Sequence, residues 1–145
     1  MGVIVVGYDD SPGARHALDV TAALAGPLGD RVVVAFAARP PGRPGEEFRA
    51  HQRALAELGQ RFVSGAVERL QADGIEVEGE VAVERDVDLL VRLATEREAR
   101  MIVVGSYGET PLRSALVGAT PHKLLQLSSV PVLVVPAAAE GGEAR

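Results

Sequence analysis

The sequence contains no cysteine, so neither a disulfide bond nor a thiolate metal site is available to this chain. It has no tryptophan, and its three phenylalanines and two tyrosines offer little material for the aromatic platforms that stack single-stranded nucleic acid. The net charge of −5 argues against general binding to nucleic acid or to an anionic membrane. No apolar run approaches the roughly 20 residues of a membrane-spanning helix. We therefore expect neither a nucleic-acid partner nor a membrane partner.

What the sequence does contain suits one folded domain. The chain has 145 residues, of which 47% are hydrophobic and 24% are charged, and this length and composition favour a single core. The N-terminus leads directly into an apolar strand pattern, without a basic segment or a signal-peptide core in front of it. A cytoplasmic location is the expectation that follows.

Strand patterns alternate with helical patterns along the chain. Runs of consecutive β-branched residues, typical of strands covered on both faces, and one alternating apolar–acidic run predict strands at residues 3–7, within 31–38, at 75–83, 101–104 and 132–135. Helical spacing and capping residues predict helices from 12 to the Gly26-Pro27 pair, from about 46 to 72, from a cap at Asp86, and from Ser114 or Gly118 to Leu127. This order predicts the α/β class with a parallel sheet. The alternating run at 75–83 is expected at a sheet edge.

The most informative stretch is 101–120. An apolar strand ends there at Gly105, Gly108 follows, and Gly118 opens an amphipathic helix. Glycines allow the backbone to approach a phosphate closely, and the free N–H groups of a first helical turn point towards it. Each glycine alone is better explained by a tight turn or by close packing than by a bound phosphate. Together, at the spacing Gly-x2-Gly-x9-Gly, they favour nucleotide binding, although the pattern is neither the P-loop nor the dinucleotide motif.

This spacing resembles the nucleotide-binding signature of the universal stress protein family, and the similarity extends from Val3 to Pro136, including the opening strand that leads to Asp9 and the closing run at 130–135. The resemblance implies a family domain at residues 1–136, and the residues after it, 137–145, are expected to form a disordered tail. It also implies an open, Rossmann-like sheet of five parallel strands in the order 3-2-1-4-5, with helices on both faces. Strands 1 and 4 then lie side by side at the switch point, where open α/β sheets bind ligands.

The resemblance further implies that ATP or a related adenine nucleotide binds at this point, and Mg²⁺ is a candidate metal ion bound together with the nucleotide. The candidate contact residues are Asp9, Ala37, Val104, Gly105, Ser106, Gly108, Gly118, Ala119 and Thr120. Asp9 is a candidate partner of the ribose or of a metal, and the alternative is a carboxylate that caps the first helix. The backbone near Ala37 is a candidate partner of the adenine edge, and Val103 and Val104 are expected to pack beneath the base.

Some residues depart from the family signature. Ala119 stands where ATP-binding members carry Ser or Thr, and Thr120 is the nearest substitute for the missing hydroxyl. Pro121 removes a backbone N–H, and Glu109 would repel a triphosphate. Two functions therefore remain open: an adenine-nucleotide-binding regulatory or survival factor in a stress response, or a family member that no longer binds nucleotide and acts through protein partners.

Catalytic residues are scarce in this sequence. His16, His51 and His122 all lie in predicted helices, at spacings that form neither a Ser-His-Asp order nor a metal-ligand pattern. We expect at most slow ATP hydrolysis. An adenylating or phosphatase enzyme would need a second catalytic constellation, for which the sequence offers no candidate residues.

The last predicted strand suggests a homodimer. Its residues Val132, Leu133, Val134 and Val135 carry no charge, and the implied strand order leaves them at a sheet edge. Exposed apolar edges are normally covered, charged or paired in native proteins. Two copies of this edge meeting antiparallel across a two-fold axis would satisfy both sets of backbone groups.

Overall fold

The computed structural model describes residues 1–40, 43–106 and 118–137 of the chain. Its strands are β1 (Val3–Gly7), β2 (Arg31–Ala37), β3 (Val77–Ala82), β4 (Met101–Gly105) and β5 (Val132–Val135). Its helices are α1 (Pro12–Leu28), α2 (Glu46–Ala72), α3 (Asp86–Glu96) and α4 (Ala119–Leu127). In these three ranges, no helix is both long enough and apolar enough to cross a membrane.

The strands form one parallel sheet in the order β3-β2-β1-β4-β5, which confirms the predicted class and strand order. At its centre, Val5 of β1 pairs with Val33 of β2 on one side and with Ile102 of β4 on the other. The chain changes its winding direction between β1 and β4. The segments that follow these two strands therefore turn to opposite faces of the sheet and leave a crevice between them. β3 lies at the edge, as its alternating pattern predicts.

Both faces of the sheet are covered, which explains why the central strands are apolar without alternation. Ile4 and Val6 of β1 face a core built with α1 and α2, whereas Val3 and Val5 face a core built with α3 and α4. Because successive side chains of a strand point to opposite faces, a strand between two helical layers needs apolar residues at every position. The predicted arrangement of helices on both faces is confirmed.

The ends of two helices differ from the prediction. The Gly26-Pro27 pair does not end α1, which continues to Leu28 and stops at Gly29 in the left-handed conformation (φ 70°). The N–H of Gly29 donates to the carbonyls of Ala25 and Gly26, so a glycine cap ends the helix, and the proline removes only one donor from its last turn. In α3, the N-cap residue is Arg85, and Asp86 is the first helical residue rather than the predicted cap.

The last helix begins at Ala119 with Gly118 as its N-cap residue. This was one of the two predicted starting points, and the other, Ser114, lies outside the described residues. The predicted tail at 137–145 also lies outside them except for Ala137. The domain boundary at residue 136 therefore stays a prediction.

Candidate functional site

A cavity of about 490 Å³ opens at the carboxyl ends of the central strands. Among the residues that line it are seven of the nine predicted contact residues: Asp9, Ala37, Val104, Gly105, Gly118, Ala119 and Thr120. They come from the ends of β1, β2 and β4 and from the first turn of α4. The fold therefore brings together residues that are more than 100 positions apart in the sequence.

Ser106 is not among the described lining residues. The backbone of Ser106 accepts the N–H of Gly118 at 2.7 Å and donates its own N–H to the carbonyl of Val135 at 2.8 Å. Ser106 thus fixes the start of α4 beside the end of β4 and has a structural role next to the cavity. Gly108 lies outside the described residues.

Asp9 shapes the turn between β1 and α1. Its Oδ1 accepts the backbone N–H of Ser11 at 3.0 Å, and the Oγ of Ser11 accepts the N–H of Ala14 at 3.2 Å. Ser11 is therefore the N-cap residue of α1, as predicted. Asp9 stabilises the turn that precedes this cap, and it also lines the cavity. One carboxylate oxygen is held by the backbone, which orients the second.

The next residues of this turn hold an ionisable pair. Asp10 adopts a positive φ of 63°, and its Oδ1 accepts the hydroxyl of Tyr8 at 2.9 Å. Burial, followed by the hydrogen bond and the charge of Asp10, raises the pKa of Tyr8 to about 12. The phenol therefore lines the cavity in its neutral form near neutral pH.

Gly105 shows that close packing alone accounts for one of the signature glycines. A Cβ atom at this position would lie 2.8 Å from the backbone carbon of Gly13 in α1. This contact brings β4 and α1 together, and backbone atoms cannot move aside as a flexible side chain can. Close packing against α1 therefore explains the glycine at position 105, and contact with a nucleotide would be an additional role.

The first turn of α4 faces the cavity with few polar partners. Gly118 offers no side-chain cap, and its own N–H is used by Ser106. The hydroxyl of Thr120, considered as a substitute for the missing one at position 119, donates to Oδ2 of Asp86 at 2.5 Å. Since Pro121 has no N–H, the first-turn donors still directed at the helix end are those of Ala119 and Thr120.

Several lining residues were missed at the sequence level. Leu55, Leu58 and Phe62 form an apolar wall from α2, and the ring of Phe62 meets Phe36 edge-on at a centroid distance of 6.1 Å. The apolar stripe of α2 was recognised, but its 27 residues are longer than any strand of the sheet. Because α2 is longer than the strands it covers, part of its apolar stripe must extend beyond the strand ends, and this could have been inferred from the sequence.

The described part of the cavity lining carries charge of one sign only. Asp9 and Asp86 line it, and among its described lining residues there is no Lys, Arg or His. Across the described ranges, no group of three or more His, Cys, Asp and Glu side chains is placed to hold a metal ion by itself. Any metal here would need further ligands from the bound molecule.

Comparison with known proteins identifies the family. The family model described as the universal stress protein family matches residues 1–136. The chain belongs to the universal stress protein family. A universal stress protein of Mycobacterium tuberculosis is 30% identical over 141 residues, an alignment that covers 91% of this chain and 94% of that protein.

Solved structures of other universal stress proteins share the fold. The crystal structure of a family member from Burkholderia pseudomallei has a TM-score of 0.76 at 30% identity, covering 94% of this chain and 96% of that one. A universal stress protein crystallised in complex with cAMP has a TM-score of 0.70 at 28% identity, covering 94% of this chain and 98% of that one. Binding of adenine nucleotides is thus found within the family.

Proposed function

We propose that this universal stress protein binds an adenine nucleotide in the cavity between β1 and β4 and acts as a cytoplasmic regulatory or survival factor in a stress response. One observation carries the proposal: Asp9, Gly105 and Gly118, from three distant chain segments, line a single cavity at the switch point of the sheet. The cAMP complex of a related protein supports an adenine ligand for this kind of site.

The cavity has two chemically distinct ends that suit such a ligand. The wall of Leu55, Leu58 and Phe62 offers apolar surface to a base, beside the backbone of Ala37. The opposite side offers the carboxylate of Asp9, which would accept a ribose hydroxyl, and the N-terminus of α4, which favours an anion. An apolar pocket with a few converging polar groups is the usual form of a small-molecule site.

Mg²⁺ would enter this site together with a polyphosphate. The ion favours one or two carboxylates combined with phosphate oxygens, so Asp9 is the described residue that would hold it, while the nucleotide supplies the remaining ligands. When bound, the ion would neutralise phosphate charge. The described lining offers no histidine or lysine as a general base and no arginine to stabilise a transition state, so we propose at most slow hydrolysis of ATP.

Calorimetric titration with adenine nucleotides tests the proposal. Gly118 has ordinary extended dihedral angles (φ −67°, ψ 175°), so Gly118→Val keeps the backbone but adds a branched side chain at the cavity wall. We expect saturable binding by the native chain and a clear loss in this variant. Gly65→Val, at an exposed α2 position where an added Cβ meets nothing within 4 Å, is the matched control. Absence of both binding heat and thermal protection at millimolar ligand would contradict the proposal.

A second candidate is a family member that acts through protein partners without a nucleotide. The hydrogen bond between Thr120 and Asp86 favours it, because the nearest hydroxyl to the α4 N-terminus is already engaged. Ala119 and Pro121 add no polar group there. The titration separates the two functions, since a folded chain that binds no adenine ligand supports the second one.

We also propose that the protein forms a homodimer through the outer edge of β5, at Val132, Leu133, Val134 and Val135. β5 lies at the end of the strand order and pairs with β4 on its other side. The carbonyl of Pro131 accepts the N–H of Ile102 in β4, and the carbonyl of Val135 accepts the N–H of Ser106 just after β4. The alternation of a strand therefore directs the backbone of Val132 and Val134 outwards. Those outward groups are available to a second copy.

Sedimentation equilibrium at micromolar concentrations tests the dimer. Val134→Pro removes an outward N–H without touching a donor to β4, so we expect this variant to be monomeric. Val134→Thr keeps both the branched shape and the N–H and should remain dimeric. A native chain that sediments as a monomer throughout this range would overturn the proposal.

A further inference from the structure

Three helices begin at the cavity, and their N-termini are satisfied differently. Ser11 caps α1, and the first turn of α3 contains Asp86, whose Oδ1 accepts the N–H of Val87 at 2.7 Å. The N-terminus of α4 has no side-chain cap of its own. Because a helix N-terminus attracts anions, α4 is the end of the cavity where a ligand phosphate would be most favoured.

A carboxylate of the protein already lies beside this α4 terminus. The Oδ2 atom of Asp86 accepts the hydroxyl of Thr120, the second residue of α4, and Asp86 lines the cavity itself. Asp86 therefore holds a negative charge close to the donors that would receive a phosphate. A ligand phosphate at the α4 terminus would therefore lie near this negative charge.

The other described lining residues do not offset this charge. Asp9 is the other acidic residue of the described lining, which contains no Lys, Arg or His. Repulsion between like charges grows with the number of charges on the ligand, so it is absent for adenosine, small for a monophosphate and largest for a triphosphate. The apolar wall from α2 offers no polar group to a phosphate, so we expect it to stabilise all three ligands alike.

We propose that Asp86 is a specificity-determining residue, which makes the cavity select adenine nucleosides and monophosphates over free triphosphates. This inference rests on the proposed adenine site and adds the ligand class that the site takes. Its physical basis is the hydrogen bond that holds the Asp86 carboxylate at the first turn of α4. Asp86→Asn is a suitable variant, since the amide keeps an oxygen acceptor for Thr120 while it removes the charge.

Titration with adenosine, AMP and ATP in magnesium-free buffer provides the test. We expect the native chain to bind ATP more weakly than AMP. Asp86→Asn should then strengthen ATP binding about tenfold and AMP binding about threefold, and leave adenosine unchanged. The gain for ATP should shrink in about 1 M salt, where charges beyond roughly 3 Å are screened. Asp88→Asn is the matched control, because Asp88 is an exposed α3 residue outside the cavity lining.

Different results would overturn the inference in recognisable ways. An unchanged affinity for ATP in Asp86→Asn, or equal changes for all three ligands, would show that the charge of Asp86 does not discriminate. A loss of ATP binding in the presence of Mg²⁺ would make Asp86 a metal ligand instead. Saturable binding of adenosine to the native chain tests the adenine site separately, so this inference fails alone if adenosine binds but the variant shows no selectivity change.

Discussion

Carboxylates have opposite roles at the two ends of the strands. We call the end where the strands begin the amino edge of the sheet and the end where they finish the carboxyl edge. At the amino ends of the strands, Asp30 is buried and accepts hydrogen bonds from Arg100 Nε at 2.6 Å, from a terminal guanidinium nitrogen at 3.0 Å and from the N–H of Gly2 at 2.9 Å. At the carboxyl ends, Asp9 and Asp86 line an open cavity and accept bonds from neutral N–H and O–H groups. Arg100 neutralises the charge of Asp30 at the amino edge, whereas Asp9 and Asp86 meet no cationic residue in the described lining at the carboxyl edge.

This difference separates stability from function. The hydrogen bonds from Arg100, and then that from Gly2, hold the pKa of Asp30 below its usual value despite its burial, so ionisation of this carboxylate stabilises the fold. The cavity carboxylates lack such a cation among the described lining residues, and their charge is available to a ligand. Variants at the amino edge should therefore change unfolding, and variants at the carboxyl edge should change binding.

The largest expected effect is the loss of the buried ion pair in Asp30→Ala. Removing one partner of a buried pair costs about 3–5 kcal/mol, and because Arg100 is partly exposed we expect a smaller loss of about 2–3 kcal/mol. Asp19→Ala is the control, since its pair with Arg69 is exposed on both sides and should contribute about 0–1 kcal/mol. Denaturant unfolding measures both. Equal losses in the two variants would remove the contrast between the edges.

The same carboxylate predicts how stability depends on pH. A carboxyl group whose pKa is lower in the folded chain stabilises the fold fully above its unfolded pKa, which is about 3.9. That contribution is lost as the pH falls through the lowered folded pKa. The stability advantage of the native chain over Asp30→Asn should therefore be constant near neutral pH and shrink below about pH 4. An advantage that persists undiminished in acid would contradict the assignment.

Glycine substitutions at the two edges should sharpen the comparison. An added Cβ at Gly105 would lie 2.8 Å from the backbone of Gly13, so Gly105→Ala should cost about 2 kcal/mol and also weaken ligand binding at the cavity. At Gly2 the Cβ would lie 2.7 Å from Oδ1 of Asp30, and Gly2→Ala should cost about 1 kcal/mol while leaving binding unchanged. Unfolding and titration of both variants decide whether the two effects separate in this way.

Most of the fold was predictable because it depends on local patterns. Unbroken apolar runs indicated strands covered on both faces, and the strand order followed from the family resemblance. The predicted end of α1 was wrong because a proline in the last turn removes only one backbone N–H donor. The glycine cap two residues later decides where the helix stops. Local preference cannot show which of two nearby stop signals wins.

The candidate site was predictable only where it follows strand ends. Gly105 and Asp9 were found because parallel strands deliver their carboxyl ends to one edge. Asp86 and the α2 wall were missed because they reach the cavity through helix placement. A cap-like carboxylate looks the same in sequence whether it serves only its own helix or also meets a second one, as Asp86 meets Thr120.

A smaller effect on binding is expected from restoring the family hydroxyl. Ala119 lies in the first turn of α4 at the cavity wall, so Ala119→Ser places a donor where ATP-binding members carry one. One net hydrogen bond should tighten ATP binding by about 1 kcal/mol, without a change in unfolding. Titration with ATP measures this gain. Unchanged or weaker binding in a folded variant would show that the missing hydroxyl does not limit the site.

The smallest effect concerns Tyr8, whose ionisation opposes folding at the carboxyl edge just as that of Asp30 supports it at the amino edge. Burial and Asp10 raise the pKa of Tyr8 to about 12, so its neutral form stabilises the fold below the ordinary tyrosine pKa of about 10. This contribution is lost as the pH rises through about 12. At neutral pH, Tyr8→Phe should cost only about 0.5 kcal/mol, because water can replace the phenol at the partly exposed Asp10.

Phenolate absorbance makes the Tyr8 prediction measurable although the chain has a second tyrosine, Tyr107. Subtracting the titration of Tyr8→Phe from that of the native chain isolates Tyr8, and the difference should have its midpoint near 12. Asp10→Asn should move this midpoint down, since it removes the charge that disfavours the phenolate, but burial should keep it above 10. A native midpoint near 10 would mean that the hydroxyl of Tyr8 is exposed to water. That result would contradict the burial of Tyr8 and its hydrogen bond to Asp10.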